Sequence, residues 1–272
     1  MKPFLLGLFA SLALLTPPRS LAACAGASMD IGGRHLWVDV EGQGKLTVVF
    51  ESGGGNDSTV WADITPRIRA AGARTFVYDR AGLGRSDLGP DPYSADDEVK
   101  ALRNALTHCD IAGPIIIAAH SYGGLLSLLT AAQDKRVIGV VLIDALVPKA
   151  TPKSEVDAIL AEYRPQYAEL RAQAPELAKA MIPFMEAYPM SIAHLDAAKI
   201  PLHLRIIDIV AEHTVSNTVH TAEIWYKAHN EFVANNKSRE KILAIGSSHK
   251  VIKDQPELVV TAIVRMISLL SQ

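Results

Sequence analysis

Pro114-Ile115-Ile116-Ile117-Ala118-Ala119-His120-Ser121-Tyr122-Gly123-Gly124 is an apolar, β-branched run that stops at a serine with very small residues two places before and two places after it. The pattern reads as a nucleophile elbow. Between a strand and a helix the chain turns so sharply that the serine sits in a strained backbone conformation, and larger side chains at the flanking positions would collide. Ala119 and Gly123 meet that demand. The following Leu125-Leu126-Ser127-Leu128-Leu129-Thr130-Ala131-Ala132 predicts a buried helix beneath the serine, its positive end favouring negative charge near Ser121. Taken alone, the segment also fits an ordinary strand-to-helix turn that happens to hold a serine.

Two further segments favour the elbow. Leu46-Thr47-Val48-Val49-Phe50 predicts a buried strand running into Glu51-Ser52-Gly53-Gly54-Gly55-Asn56, where consecutive glycines leave backbone amides bare. Acyl transfer develops negative charge on a carbonyl oxygen, and preorganised N–H donors aimed at that oxygen lower the barrier by a few kcal/mol. Gly54 is the first candidate for one donor and the amide of Tyr122 for the other. Phosphate binding is the competing use of such a turn, but the Gly-Lys-Ser/Thr ending of a P-loop is absent. Near the C-terminus, Lys241-Ile242-Leu243-Ala244-Ile245 predicts a short strand followed by Gly246-Ser247-Ser248-His249, which places a histidine where a general base is needed.

With these segments in order, the chain resembles the α/β-hydrolase superfamily from roughly Ile31 to the final helix. The resemblance rests on Glu51-Ser52-Gly53-Gly54-Gly55 followed by Ser58 and Trp61, on Tyr78-Asp79-Arg80-Ala81-Gly82-Leu83-Gly84-Arg85-Ser86, on the elbow, and on Ser248-His249 with Asp254-Gln255-Pro256-Glu257 behind it. Two departures stand out: Ala119 where the family's elbow has glycine, and Ser52-Gly53 where its oxyanion turn has His-Gly. The resemblance implies a serine nucleophile at Ser121, a base at His249 and an acid between them. Asp144, at the end of the predicted strand Val137-Ile138-Gly139-Val140-Val141-Leu142-Ile143, is the first candidate for that acid. Glu212 and Asp208, in the run Pro201 to Glu212, come second and third. The chemistry requires a carboxylate that accepts a hydrogen bond from the imidazole and stabilises its positive form. Asp144 could equally be a helix cap, and Asp208 a strand residue facing a polar edge.

The chain has 272 residues, 49% of them hydrophobic, which suits one large α/β domain. Apolar runs alternating with helical patterns, such as Ala95 to Leu106 and Glu257 to Leu270, predict a mostly parallel sheet of about eight strands with helices on both faces. The hydrolase core is expected over 24–147 and 200–272. From Pro148 to Lys199 strand signals vanish and alanine, leucine and charge dominate, which predicts a helical cap over 148–199. Within it Met181, Phe184 and Met185, with Tyr188-Pro189-Met190 behind them, are candidate substrate contacts whose softness suits an apolar group; packing inside the cap is the alternative.

Lys2, the apolar run Phe4 to Leu15 and the small residues Ala22 and Ala23 predict a signal peptide over 1–23, and hence a periplasmic or secreted protein. Leu21-Ala22-Ala23-Cys24 also resembles a lipobox, so a lipid anchor at Cys24 is the alternative to a disulfide with Cys109, the other cysteine. The 27 basic and 29 acidic residues give −2, and about −4 without Lys2 and Arg19. No basic stripe, aromatic-basic interleaving or zinc-finger spacing points to nucleic acid, and no protein partner is implied. Gly82-x-Gly84 lacks the third glycine of a dinucleotide fingerprint, and His213, His220 and His229 are irregularly spaced, so neither cofactor nor metal is expected. The expected reaction is hydrolysis of a carboxylic ester of a small or apolar molecule through an acyl-serine. Amide, lactone or carbon–carbon bond cleavage on the same residues and a non-catalytic ligand receptor are the alternatives.

Overall fold

The computed structural model describes residues 21–214, 219–234 and 236–271. All but the last three residues of the predicted leader lie outside them. The apolar runs form β1 (Ala27–Asp30), β2 (His35–Glu41), β3 (Thr47–Glu51), β4 (Arg74–Tyr78), β5 (Ile115–His120), β6 (Val137–Ile143), β7 (Arg205–His213) and β8 (Arg239–Ser248). The helices are α1 (Thr65–Ala70), α2 (Ala95–His108), α3 (Gly123–Gln133), α4 (Lys153–Tyr163), α5 (Tyr167–Gln173), α6 (Pro175–Ala197), α7 (Val219–Val233), α8 (Val251–Asp254) and α9 (Pro256–Leu270).

One sheet contains all eight strands in the order β1-β2-β4-β3-β5-β6-β7-β8. Only the β1–β2 and β2–β4 pairs are antiparallel. Every residue of β5 is buried, and alternate ones serve opposite faces. Ile115, Ile117 and Ala119 join a core with Leu102 and Leu106 of α2 and Leu125 and Leu129 of α3. Ile116 and Ala118 join another with Ile68 of α1 and Val259, Ile263 and Met266 of α9. Burial on both faces explains the continuous, rather than alternating, apolar pattern.

Register brings the C-terminal ends of the parallel strands level. Glu51 lies beside Ala119, His120 beside Ile143, Ile143 beside Ile209, and Ala211 beside Ala244. The residues that leave the sheet at this edge, Ser52, Ser121, Asp144 and His249, therefore converge, as ligand-facing loops of open α/β sheets do. β8 runs longer than the predicted Lys241–Ile245 because it pairs with β7 from Ile206↔Arg239 to His213↔Ser248. A disulfide joins Cys24 to Cys109, just past α2, with Cα atoms 5.9 Å apart.

Between β6 and β7, α4, α5 and α6 form a helical layer above this edge. On α6, Met181, Phe184, Met185 and Tyr188 follow the i, i+3, i+4, i+7 spacing of one helix face. Ile192 and Leu195 anchor the far end of α6 in the core of the sheet. Pro183 and Pro189 both lie inside this helix.

Candidate active site

Ser121 turns between β5 and α3 with φ of 53°, in the left-handed region that non-glycine residues avoid. Its amide donates to Ile143 O at 3.4 Å and its carbonyl accepts from Leu146 N at 2.9 Å. A side chain at Gly123 would meet Glu51 O at 2.5 Å, and one at Gly124 would meet Ala145 Cβ at 2.7 Å. These close approaches account for the small residues after the serine, while Ala119 fits fully buried.

His249, just past β8, lies 3.0 Å through Nε2 from Ser121 Oγ and 2.6 Å through Nδ1 from Asp144 Oδ2. With Nδ1–H donating to the carboxylate, Nε2 is free to accept from the serine hydroxyl. Both oxygens of Asp144 are engaged. Oδ1 accepts from Ala211 N and Trp225 Nε1, each at 3.1 Å, and Oδ2 also accepts from Thr214 Oγ1 at 2.7 Å. Asp144 is fully buried. His120 braces His249: its Nε2 donates to the carbonyl of His249 at 2.9 Å, and the two rings lie 4.7 Å apart. Burial, reinforced by His249, pushes the His120 imidazole down to about 4, so it is neutral at ordinary pH. Asp254 ties the same loop by accepting from Ser248 N and Oγ.

Opposite the histidine, the glycine turn after β3 crosses close to Ser121. A Cβ at Gly53 would lie 3.3 Å from Ser121 Cβ and 2.9 Å from His120 Nδ1. The turn rests on buried charge: Arg80 pairs with Glu51 at 2.8 Å and donates to the carbonyls of Ser52 and Gly53, while Tyr78 OH also donates to Glu51. Glu98, buried nearby, has its carboxyl pushed up to about 7, chiefly by burial, with Arg80 and Arg34 opposing.

Gly54, Ser121, Tyr122 and His249 line a cavity of about 380 Å³ beneath the helical layer. Met181, Phe184 and Met185 all face it, joined by Leu146, Ile159, Tyr188 and Trp225. Phe184 packs edge-on to Tyr122 at 4.7 Å and to Tyr93 at 5.3 Å. Thr151, Glu155, Glu162, Tyr163 and Thr221 supply polar lining. Met190 is 78% exposed and Ile182 and Pro183 face a separate groove, so these three do not cover the serine.

A family model described as the alpha/beta hydrolase family matches residues 48–260. The chain belongs to that family. Among curated proteins it is similar to the uncharacterized protein YqjL of Bacillus subtilis, 27% identical over 239 residues that span 82% of this chain and 84% of YqjL. Among solved structures, a carboxylesterase of Nitrososphaera gargenis superposes with a TM-score of 0.68 at 16% identity, covering 90% of this chain and 98% of that one. The enol-lactonase of Burkholderia xenovorans LB400 gives 0.61 at 17% identity, covering 89% and 100%. Likeness at such identities concerns the fold; the chemistry of a family member has to be read from its own site.

In this hydrolase-family chain the other two acid candidates are engaged elsewhere. Glu212, beyond the buried part of β7, is exposed and accepts from Gly246 N at 2.6 Å. Asp208 sits within β7, fully buried, and accepts from His229 Nδ1 at 2.8 Å. Neither is hydrogen-bonded to His249. Sequence reasoning missed Trp225 as a donor to Asp144. It also missed the brace from His120, although a histidine beside the serine was a readable signal.

Proposed function

We propose that the protein is a serine hydrolase that cleaves carboxylic esters of small or apolar molecules through an acyl-serine intermediate. The observation that carries this reading is the unbroken chain from Ser121 Oγ to His249 Nε2 at 3.0 Å and from His249 Nδ1 to Asp144 at 2.6 Å. In the proposed reaction His249 takes the hydroxyl proton as Ser121 attacks the carbonyl, and Asp144 stabilises the imidazolium. The amides of Gly54 and Tyr122 hold the oxyanion. His249 then gives the proton to the departing alcohol, and activates a water that releases the acid.

An ester suits the site because an alkoxide leaves more readily than an amine anion. An apolar substrate class is supported by the wall of Leu146, Met181, Phe184 and Met185, and by a lining that among the described residues includes neither lysine nor arginine to pair with a phosphate or carboxylate. Export is part of the proposal: the leader pattern and the Cys24–Cys109 disulfide both suit an oxidising compartment. A Cys24 sulfur held in that bridge has no thiol left for a lipid.

A fluorophosphonate probe with mass-spectrometric mapping, alongside turnover of 4-nitrophenyl esters of increasing acyl length, tests the reading. Expected are an adduct on Ser121 and a loss of at least about 10³-fold in turnover in a folded Ser121→Ala variant. Undiminished hydrolysis by that variant, or an unlabelled but well-folded wild type, would replace catalysis by Ser121 with another nucleophile or with ligand binding alone.

A further inference from the structure

The guanidinium of Arg80 is buried, with only 4% of the residue exposed, in contact with the turn that faces the nucleophile. Its Nη1 donates to Glu51 Oε1 at 2.8 Å and to the carbonyl of Ser52, and its Nη2 donates to the carbonyl of Gly53. The Gly53 carbonyl belongs to the same peptide group as the N–H of Gly54. Its plane is further fixed by Asn56 N, which donates to that carbonyl at 3.2 Å. The guanidinium carbon also lies 5.9 Å from the centre of the Tyr122 ring, so the cation sits close to both residues whose amides are assigned to the oxyanion.

We infer that Arg80 is a positioning residue for the oxyanion site, orienting and polarising the 53–54 peptide so that the Gly54 N–H becomes a stronger donor to negative charge on the substrate carbonyl. The inference rests on the ester-hydrolase reading. Its physical basis is the conjugation of the peptide group. A cation on the carbonyl oxygen draws electron density from nitrogen and makes the N–H more acidic, and hydrogen bonds in series strengthen one another in a low-dielectric interior. The gain appears only as charge develops on the substrate, which is the condition for raising the rate rather than merely tightening binding.

The alternative is a clamp that only shapes the turn. Apolar packing of similar volume often stabilises a fold as well as a buried ion pair does, so stability alone is a weak reason for burying Arg80 and Glu51. The placement of both Nη atoms on the carbonyls of successive oxyanion-turn residues gives the pair a chemical use.

Arg80→Lys and Arg80→Met separate the two roles when a 4-nitrophenyl ester is compared with its thiono counterpart, whose sulfur accepts hydrogen bonds poorly. For Arg80→Lys we expect ester kcat to fall about 30-fold with KM within about twofold, and thionoester turnover to fall by no more than a few-fold; the oxygen-over-sulfur preference then shrinks roughly tenfold. Arg80→Met should shrink it further, and if that variant does not fold the lysine variant carries the test. Equal losses on both substrates, or an unchanged ester rate, would leave Arg80 as a structural clamp and overturn the inference. Labelling by the fluorophosphonate keeps this result distinct from the function itself. Failure of folded wild type to label at Ser121 sinks the ester reading and this inference together, whereas labelled wild type with an unshifted preference sinks only the inference.

Discussion

Two aspartate–histidine couples lie in the half of the sheet formed by β6, β7 and β8, and they differ in what surrounds them rather than in the bond between acid and imidazole. Asp144–His249 closes at 2.6 Å and Asp208–His229 at 2.8 Å. The first has donors on both carboxylate oxygens, and its histidine keeps 21% of its side chain exposed next to Ser121. In the second both side chains are fully buried, and Asp208 Oδ1 and His229 Nε2 have no hydrogen-bond partner among the described residues. Burial pushes the Asp208 carboxyl upward, with His229 opposing. Asp144 leaves the sheet at a positive φ of 41°, beyond the last residue of β6, whereas Asp208 remains inside β7. Of the two couples, Asp144–His249 is the one at the open strand edge, where Ser121 and the cavity adjoin it. The couples touch through Trp225, which donates to Asp144 and packs its ring 4.8 Å from that of His229.

Exchanging the acids gives the largest contrast. Asp144→Asn should lower ester kcat by about 10³- to 10⁴-fold with the fold retained, and Asp208→Asn by no more than a few-fold. Steady-state kinetics showing equal losses would erase the distinction. Stability should run the other way for the buried couple. His229→Leu, which leaves Asp208 without its donor, should cost about 3–5 kcal/mol in urea unfolding, and adding Asp208→Val should recover most of it; a double variant no better than the single would show that packing, not the unpaired acid, sets the cost.

Away from both couples, replacing Cys24 and Cys109 by serine opens a loop spanning 85 residues and should cost about 2–4 kcal/mol of stability while leaving ester kcat of the folded protein within twofold. A third buried acid, Glu98, supplies the smallest effect. Its carboxyl sits at about 7 in the fold against an ordinary 4.5. The folded state therefore holds the proton more tightly, and the group's contribution to stability is complete below pH 4.5 and lost as pH rises through 7. Glu98→Gln should flatten the fall in unfolding free energy between pH 5 and 8, by an amount on the order of 2 kcal/mol, and with it the fall in Tm; parallel profiles for variant and wild type would remove Glu98 as the cause.

Ser121, His249 and the alternating architecture were legible because each is written locally, in a strand run, a small-residue turn or a helical period. The same holds for Met181, Phe184 and Met185, whose spacing already describes one helix face. The acid was not local in this sense. Asp144, Asp208 and Glu212 all sit in or after apolar runs, and only the register of β6 against β7 and the donors from Ala211, Thr214 and Trp225 separate them. Met190 follows the apolar stretch but falls on the outward side of α6, a matter of helical phase rather than residue type. Whether Cys24 can bridge Cys109 depended on a distance across 85 residues of chain. Arg80 could be placed in a motif, but that its guanidinium grips Ser52 and Gly53 emerges only once β3 and β4 lie side by side.

The two prolines inside α6 bear on how the cavity fills. Proline has no N–H, so Pro183 and Pro189 leave the carbonyls of Lys179 and Met185 without their helical donors. The helix that carries Met181, Phe184, Met185 and Tyr188 is thus held by fewer backbone bonds than its 23 residues would otherwise provide, and a segment of this kind opens at lower free energy than the strands below it. Amide hydrogen exchange along α6 should outpace that of β5 and β6. If the proposed hydrolysis holds, the sheet-borne half of the enclosure would fix which bond meets Ser121, and the yielding α6 wall would set how large a guest is admitted.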